Sequence, residues 1–155
     1  MKPELTTRGR AVLTKALAAM RRWPDSVDMS DWYDHNPKVQ STLRRPTPYC
    51  GTTACLAGHI ALAATRQQPD RFGDYQFSRL PKYLRVAAHE DFCSENVALA
   101  ALGVPEDERA AVSNRLFFTS GWPRELSNRY WAATRPQARA EVTIARVRHW
   151  LKTGK

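Results

Sequence analysis

Long apolar runs are missing from this chain. None reaches the roughly 18 residues that a membrane-spanning helix needs, so no membrane partner is expected. The stretch from Met1 to Trp23 is broken by Lys15, Arg21 and Arg22, and so lacks the unbroken apolar centre of a secretory leader. Cysteine is scarce as well. Three in 155 residues is odd and too few for a secreted disulfide scaffold, which points to reduced thiols and a cytoplasmic setting. Strand-like alternation is nearly absent, and composition excludes collagen-like, coiled-coil and disordered classes. No complete catalytic set and no nucleic-acid motif is present, and no cofactor is expected.

What remains is a single-domain length with 43% hydrophobic residues, enough for one packed core. The net charge is +9, unevenly spread. Residues 1–50 hold 9 bases and 5 acids, residues 51–100 hold 5 of each, and residues 101–155 hold 10 and 5. From Arg135 onward six bases face the single acid Glu141. A neutral middle with basic ends suggests a structural centre and a cationic rim. Such a rim attracts polyanions over about 8 Å at physiological salt, and it also keeps small domains apart.

Helical periodicity dominates. Between Glu4 and Trp23, Leu13, Leu17 and Met20 share one face with Val12 and Ala16 beside them, and Pro24 ends the helix. Residues 25–49 read as a long connector anchored by Val27, Met29, Trp32 and Tyr33. A second helix, about 52–66, is apolar nearly all round and is expected at the centre of the domain. Within it Gly51, Ala54, Gly58 and Ala61 form a row of small residues that admits a neighbouring backbone. A short helix is expected over Tyr83–Glu90. Another, Glu95–Leu102, is capped by Ser94 and stopped by Gly103, Val104 and Pro105. Pro105 and three acids open a helix that buries Val112 and Leu116 and ends near Phe118. Arg124–Ala133 and a basic last helix, about 135–152, complete the chain, the latter begun by a capping box from Thr134 to Gln137. The expectation is an all-α domain of five to six helices around the segment 52–66.

Three readings compete for the segment Cys50 to His59. Cys50 at a helix start would have its thiolate stabilised by the helix dipole, as in papain-like hydrolases. It would need His35, His89 or His149 as base, because His59 stands about 13 Å further along the helix. Alternatively Cys55 and His59, four apart on one face, could share a metal ion, with Cys50, His89 or Cys93 completing the site. The third and favoured reading is packing, with small apolar thiols and a buried His59 bonded to a carbonyl or a carboxylate. The segment Cys-Gly-Thr-x-x-Cys-Leu-Ala-Gly, the later Ala-Leu-Gly-Val-Pro-Glu-Asp-Glu, and Leu116-Phe117 before Trp122-Pro123 resemble a group of small proteins of actinobacteria, proteobacteria and their phages. The resemblance implies a shared fold and a mobile-element or bacterial origin. It brings no activity, cofactor or catalytic residue with it, and His59 stands where the group often has Trp.

On the last helix Arg135, Arg139 and Arg146 lie within about 40° of one another, with Val142 and His149 beside them. Ala140, Ile144, Val147 and Leu151 lie opposite. This is the expected binding face for an acidic protein or a nucleic acid, since arginine pairs two phosphate oxygens at once. Trp122, Trp131 and Trp150 are expected in the core; one exposed near the arginines would bring base stacking into play. The function so read is that of a non-enzymatic interaction protein, in one version a mobile-element modulator or inhibitor of a host complex. A cysteine hydrolase using Cys50, with His89 as base, and a zinc protein are the alternatives. Nothing in the sequence sets the oligomeric state.

Overall fold

A computed structural model describes residues 4–27, 29, 33–35, 52–66, 79–87 and 94–154. The fold class is all-α. Seven α-helices occur among the described residues: α1 (Thr7–Arg22), α2 (Leu56–Thr65), α3 (Lys82–Ala87), α4 (Ser94–Leu102), α5 (Arg109–Leu116), α6 (Arg124–Ala132) and α7 (Pro136–Thr153). Short 3₁₀ turns stand at Pro24–Ser26, Glu106–Glu108 and Thr119–Gly121. Among the described residues there is also a minimal antiparallel ribbon, β1 (Tyr33–His35) with β2 (Thr52–Ala54), in which Asp34 pairs with Thr53. Both strands fall where the sequence suggested something else, β1 in the connector and β2 in the first turn of the second helix. Thr52 and Thr53 are β-branched, and pairing with residues 33–35 claims their backbone before the helix begins.

Each helix end has a visible cause. Thr6 caps α1, its Oγ1 accepting from Gly9 N–H at 3.0 Å, and Pro24 turns the chain into a 3₁₀ turn. At the end of α4, Gly103 takes φ 78°. Its N–H donates to Ala100 O and that of Val104 to Leu99 O, both at 3.0 Å, the paired bonds of a Schellman motif. Gly9 packs onto this same corner, where a Cβ would overlap the Leu102 carbonyl. α7 begins without the expected capping box. Arg135 is the N-cap with no side-chain bond, and Gln137 instead donates to Glu141.

An arginine in the first turn and a half is a shared device at three helix starts. Nε–H of Arg10, Arg85 and Arg109 donates to the carbonyl five residues earlier, on Leu5, Leu80 and Val104. Those three apolar residues are buried, so each bond fixes the angle at which the chain enters its helix. A guanidinium near the positive end of a helix dipole is unfavourable by itself, and the carbonyl offsets it.

The main core joins Val12, Leu13, Ala16 and Met20 of α1, Leu56, Ala57, Ile60 and Ala61 of α2, and Val97, Ala98 and Leu102 of α4. From α7 come Ala140, Ile144, Val147 and Trp150. α2 lies against both α1 and α4, and eight of its ten residues are buried. A second, smaller cluster holds Trp122, Tyr130 and Val142, with Met29 and Leu126 against it. Met29 ties the two regions together: its N–H donates to the Tyr130 hydroxyl at 2.7 Å, and its sulfur accepts from Leu56 N–H at 3.3 Å.

Candidate functional site: thiols, buried basic groups and the cationic surface

The thiol at the start of α2 is Cys55, not Cys50. Cys55 is the N-cap, and the strand Thr52–Ala54 separates it from Cys50. The dipole argument for a Cys50 thiolate therefore loses its geometric basis. Cys50, His89 and Cys93 lie outside the described residues, and His35 is described only as part of β1. The row of small residues shortens for the same reason, since Ala54 belongs to β2 and only Gly58 and Ala61 remain within α2.

Cys55 is fully buried. Burial pushes its thiol up to about 11, although the N–H groups of Gly58 and Ala57 pull the other way. Desolvation here outweighs the helix N-terminus. His59 is buried too, its Nε2 3.0 Å from the Ser26 carbonyl. That contact places the proton on Nε2, as donor to the carbonyl. Burial drives the imidazole down to about 4, against the smaller opposing effect of the Ser26 carbonyl. A metal held by Cys55 and His59 would need an ionised thiolate and a further ligand. Among the described residues no group of three or more His, Cys, Asp and Glu could hold a metal ion.

The expected binding face of α7 is largely covered by the chain itself. Val142 is buried against Trp122 and Tyr130, because α6 folds back along α7. Arg139 is half-buried: Nε–H donates to Ala133 O at 3.1 Å, and its guanidinium lies 5.8 Å from the Tyr130 ring centroid. Arg146 departs furthest from expectation, with 0% exposure. Its Nε–H donates to Arg115 O at 2.8 Å, and the terminal NH2 reaches the same oxygen. Burial, with a smaller contribution from Arg115, lowers its pKa to about 10. Arg115 O lies in the last turn of α5, where carbonyls have no partner within the helix. The next carbonyl, Leu116 O, accepts from Trp122 Nε1 at 3.1 Å. Arg146 and Trp122 together thus cap α5 from outside. Of the four residues expected to bind, Arg135 is exposed, Arg139 and His149 are half-buried, and Arg146 is internal.

A denser cationic surface lies on α1. Arg8, Arg10, Lys15, Arg21 and Arg22 are all exposed, on a helix of 16 residues that contains no acid. At about 1.5 Å per residue they span roughly 21 Å. Arg8, Lys15 and Arg22 recur every seven residues in one row, and Arg10 and Arg21 form a second, with small or short side chains (Ala11, Thr14, Ala18) between. Arg8 also stacks over the Tyr83 ring at 4.2 Å, which brings α3 and its exposed Lys82 and Arg85 beside the start of α1. The signal was present in the sequence: no acid falls between Glu4 and Asp25. Counting over 50 residues hid it, because Asp25, Asp28, Asp31 and Asp34 follow directly.

The three tryptophans divide. Trp122 and Trp150 are buried, whereas Trp131 is 54% exposed. Tyr130 takes the inward position on α6, and one residue further on the helix turns Trp131 outward by about 100°. No protein-family model matches the chain, and neither a curated protein nor a solved structure matches it. The resemblance of the Cys50–His59 segment to small bacterial and phage proteins thus rests on its motifs alone.

Proposed function

We propose that this chain is a non-enzymatic, cytoplasmic interaction protein that docks through its basic surface on an acidic protein or a nucleic acid. A modulator or inhibitor of a host complex, carried by a mobile element, is the setting that the motif resemblance favours. The observation that carries the reading is the acid-free exposed side of α1, with Arg8, Arg10, Lys15, Arg21 and Arg22. A solvated surface without a partner needs no such segregation of sign, since mixed charges serve that purpose as well. Five cations within roughly 21 Å produce a local field that strengthens encounter with any polyanion. The buried, un-ionised Cys55 and His59 fit the same reading, because they serve the core.

Retention on immobilised heparin, measured as a function of salt, tests it. The wild-type chain is retained at low ionic strength. The triple variant Arg8→Gln, Lys15→Gln, Arg22→Gln elutes earlier, and on duplex DNA its log–log salt slope falls by up to about 2.7. Absence of retention at low ionic strength removes the proposal.

A further inference from the structure

The exposed indole of Trp131 sits in surroundings that suit one ligand chemistry. Among the described residues only Phe118 and Trp131 are large, apolar and exposed, and Trp131 is the more open at 54%. Its ring is held from inside. It meets Tyr130 edge to face at 5.2 Å and 88°, and Tyr130 meets Trp122 in the same manner at 5.7 Å and 79°. Tyr130 is itself fixed by the Met29 N–H on its hydroxyl and by the nearby Arg139 guanidinium. The indole therefore projects from a rigid aromatic stack, and little of its mobility is lost when a ligand settles on it.

The neighbours on its side of α6 are polar and cationic. Arg124, seven residues earlier, lies within about 20° of Trp131 around the helix and about 10 Å along it. Asn128 and Ser127, three and four residues earlier, fall between them. Arg124 and Asn128 are exposed, as is Arg135, four residues beyond the indole at the start of α7. The one acid of α6, Glu125, is turned about 120° away from Trp131.

We infer that Trp131 is a stacking platform for a base of single-stranded nucleic acid, with Arg124 and Arg135 holding the adjoining phosphates. The inference rests on the proposed polyanion binding and narrows it to one partner. A flat aromatic surface flanked by guanidinium groups matches the alternation of base and phosphate along a strand. Within a duplex the base faces are already stacked, and an indole reaches them only by unstacking a step at a cost of a few kcal/mol. An acidic peptide engages the arginines but has no flat π surface for the indole. Recognition here is tolerant of sequence, because every base offers a π face.

Fluorescence anisotropy with a labelled oligothymidylate of about 12 nucleotides, a length within single-strand site sizes, tests the inference. A duplex of equal length and polyglutamate serve as competing probes. Trp131→Ala is expected to weaken single-strand binding about 5- to 150-fold, the range for loss of one stacked base. Trp131→Phe retains most of the affinity, and neither change alters duplex binding. Arg124→Gln, at an exposed position, lowers the single-strand salt slope by about 0.7 and keeps the test open if Trp131→Ala fails to fold. Equal losses on single strand and duplex, no loss on either, a Trp131-dependent gain from polyglutamate, or self-association that vanishes in Trp131→Ala each overturns the inference. Binding to duplex and heparin that ignores Trp131 refutes the stacking site and leaves the broader proposal standing. No binding to any polyanion refutes both.

Discussion

Arg146 separates a binding role from a structural one, and replacing it measures which role it has. In the folded protein its Nε–H and terminal NH2 converge on Arg115 O, and no part of the side chain is exposed. Arg146→Ala removes two contributions together. Charge-assisted hydrogen bonds to a buried carbonyl are worth about 1.5–3 kcal/mol. Truncating a large buried side chain adds a packing loss, which for long apolar side chains reaches about 2–5 kcal/mol. Release of a desolvated guanidinium offsets part of the sum, since burial already works against its charge. A net loss of about 3 kcal/mol follows. Arg146→Met keeps most of the volume and strands only the α5 carbonyl, so it costs about 1–3 kcal/mol.

Urea unfolding followed by far-ultraviolet circular dichroism reads these differences as shifts in midpoint at constant slope. In thermal scans, about 3 kcal/mol corresponds to a fall of about 6–12 °C for a chain of this size. Arg135→Ala, at an exposed position, is the control and stays within about 0.5 kcal/mol of wild type. Should Arg146→Ala leave the unfolding midpoint in place while polyanion affinity drops, the capping role is refuted and the binding role read from the helical wheel is restored.

Two further outcomes follow from the buried groups of α2. His59 stays neutral in the folded chain down to about 4, whereas the unfolded imidazole takes up a proton below about 6.5. Its share of stability is therefore complete above about pH 6.5 and is lost as the pH falls toward 4, about 3 kcal/mol in all; His59→Leu flattens this part of the urea midpoint against pH, and an unchanged profile in that variant rules the assignment out. Cys55, with a thiol raised to about 11 by burial, resists maleimide labelling of the native protein at pH 7 and becomes labelled in urea. Mass spectrometry that finds native Cys55 modified as fast as a free thiol contradicts its burial.

The helices were legible wherever local chemistry agrees with packing. The stop after Leu102 depends on Gly103 at positive φ and on two backbone bonds, and both follow from the run Leu-Gly-Val-Pro without any long-range contact. Pro24 and the N-terminal Pro105 and Pro136 act within their own turn for the same reason. Errors arose where a distant partner decides the outcome. Thr52–Ala54 continues the small-residue composition of α2, and only a segment some 18 residues earlier makes it a strand. Thr134 and Gln137 satisfy the pattern of a capping box, yet the Nε–H of Arg139 on Ala133 O holds the entry to α7 instead.

The face of α7 was misread for a related reason. A helical wheel tells which residues share a side, and it correctly grouped Arg139, Val142 and Arg146; it carries no information about what covers that side. Here the cover is internal. α6 and Trp122 lie over Val142, and the end of α5 presents two carbonyls that need donors from outside their own helix. An arginine meets that need where an apolar residue cannot, and its planar fork directs more than one N–H at the Arg115 oxygen. Arg146 meets it from the middle of α7, and its charge is withdrawn from the surface on folding. The +9 of the sequence therefore misplaces the cation that looked best aimed at a partner. The positive field at the surface comes instead from the exposed side of α1, where Arg8, Arg10, Lys15, Arg21 and Arg22 stand with no acid between Glu4 and Asp25.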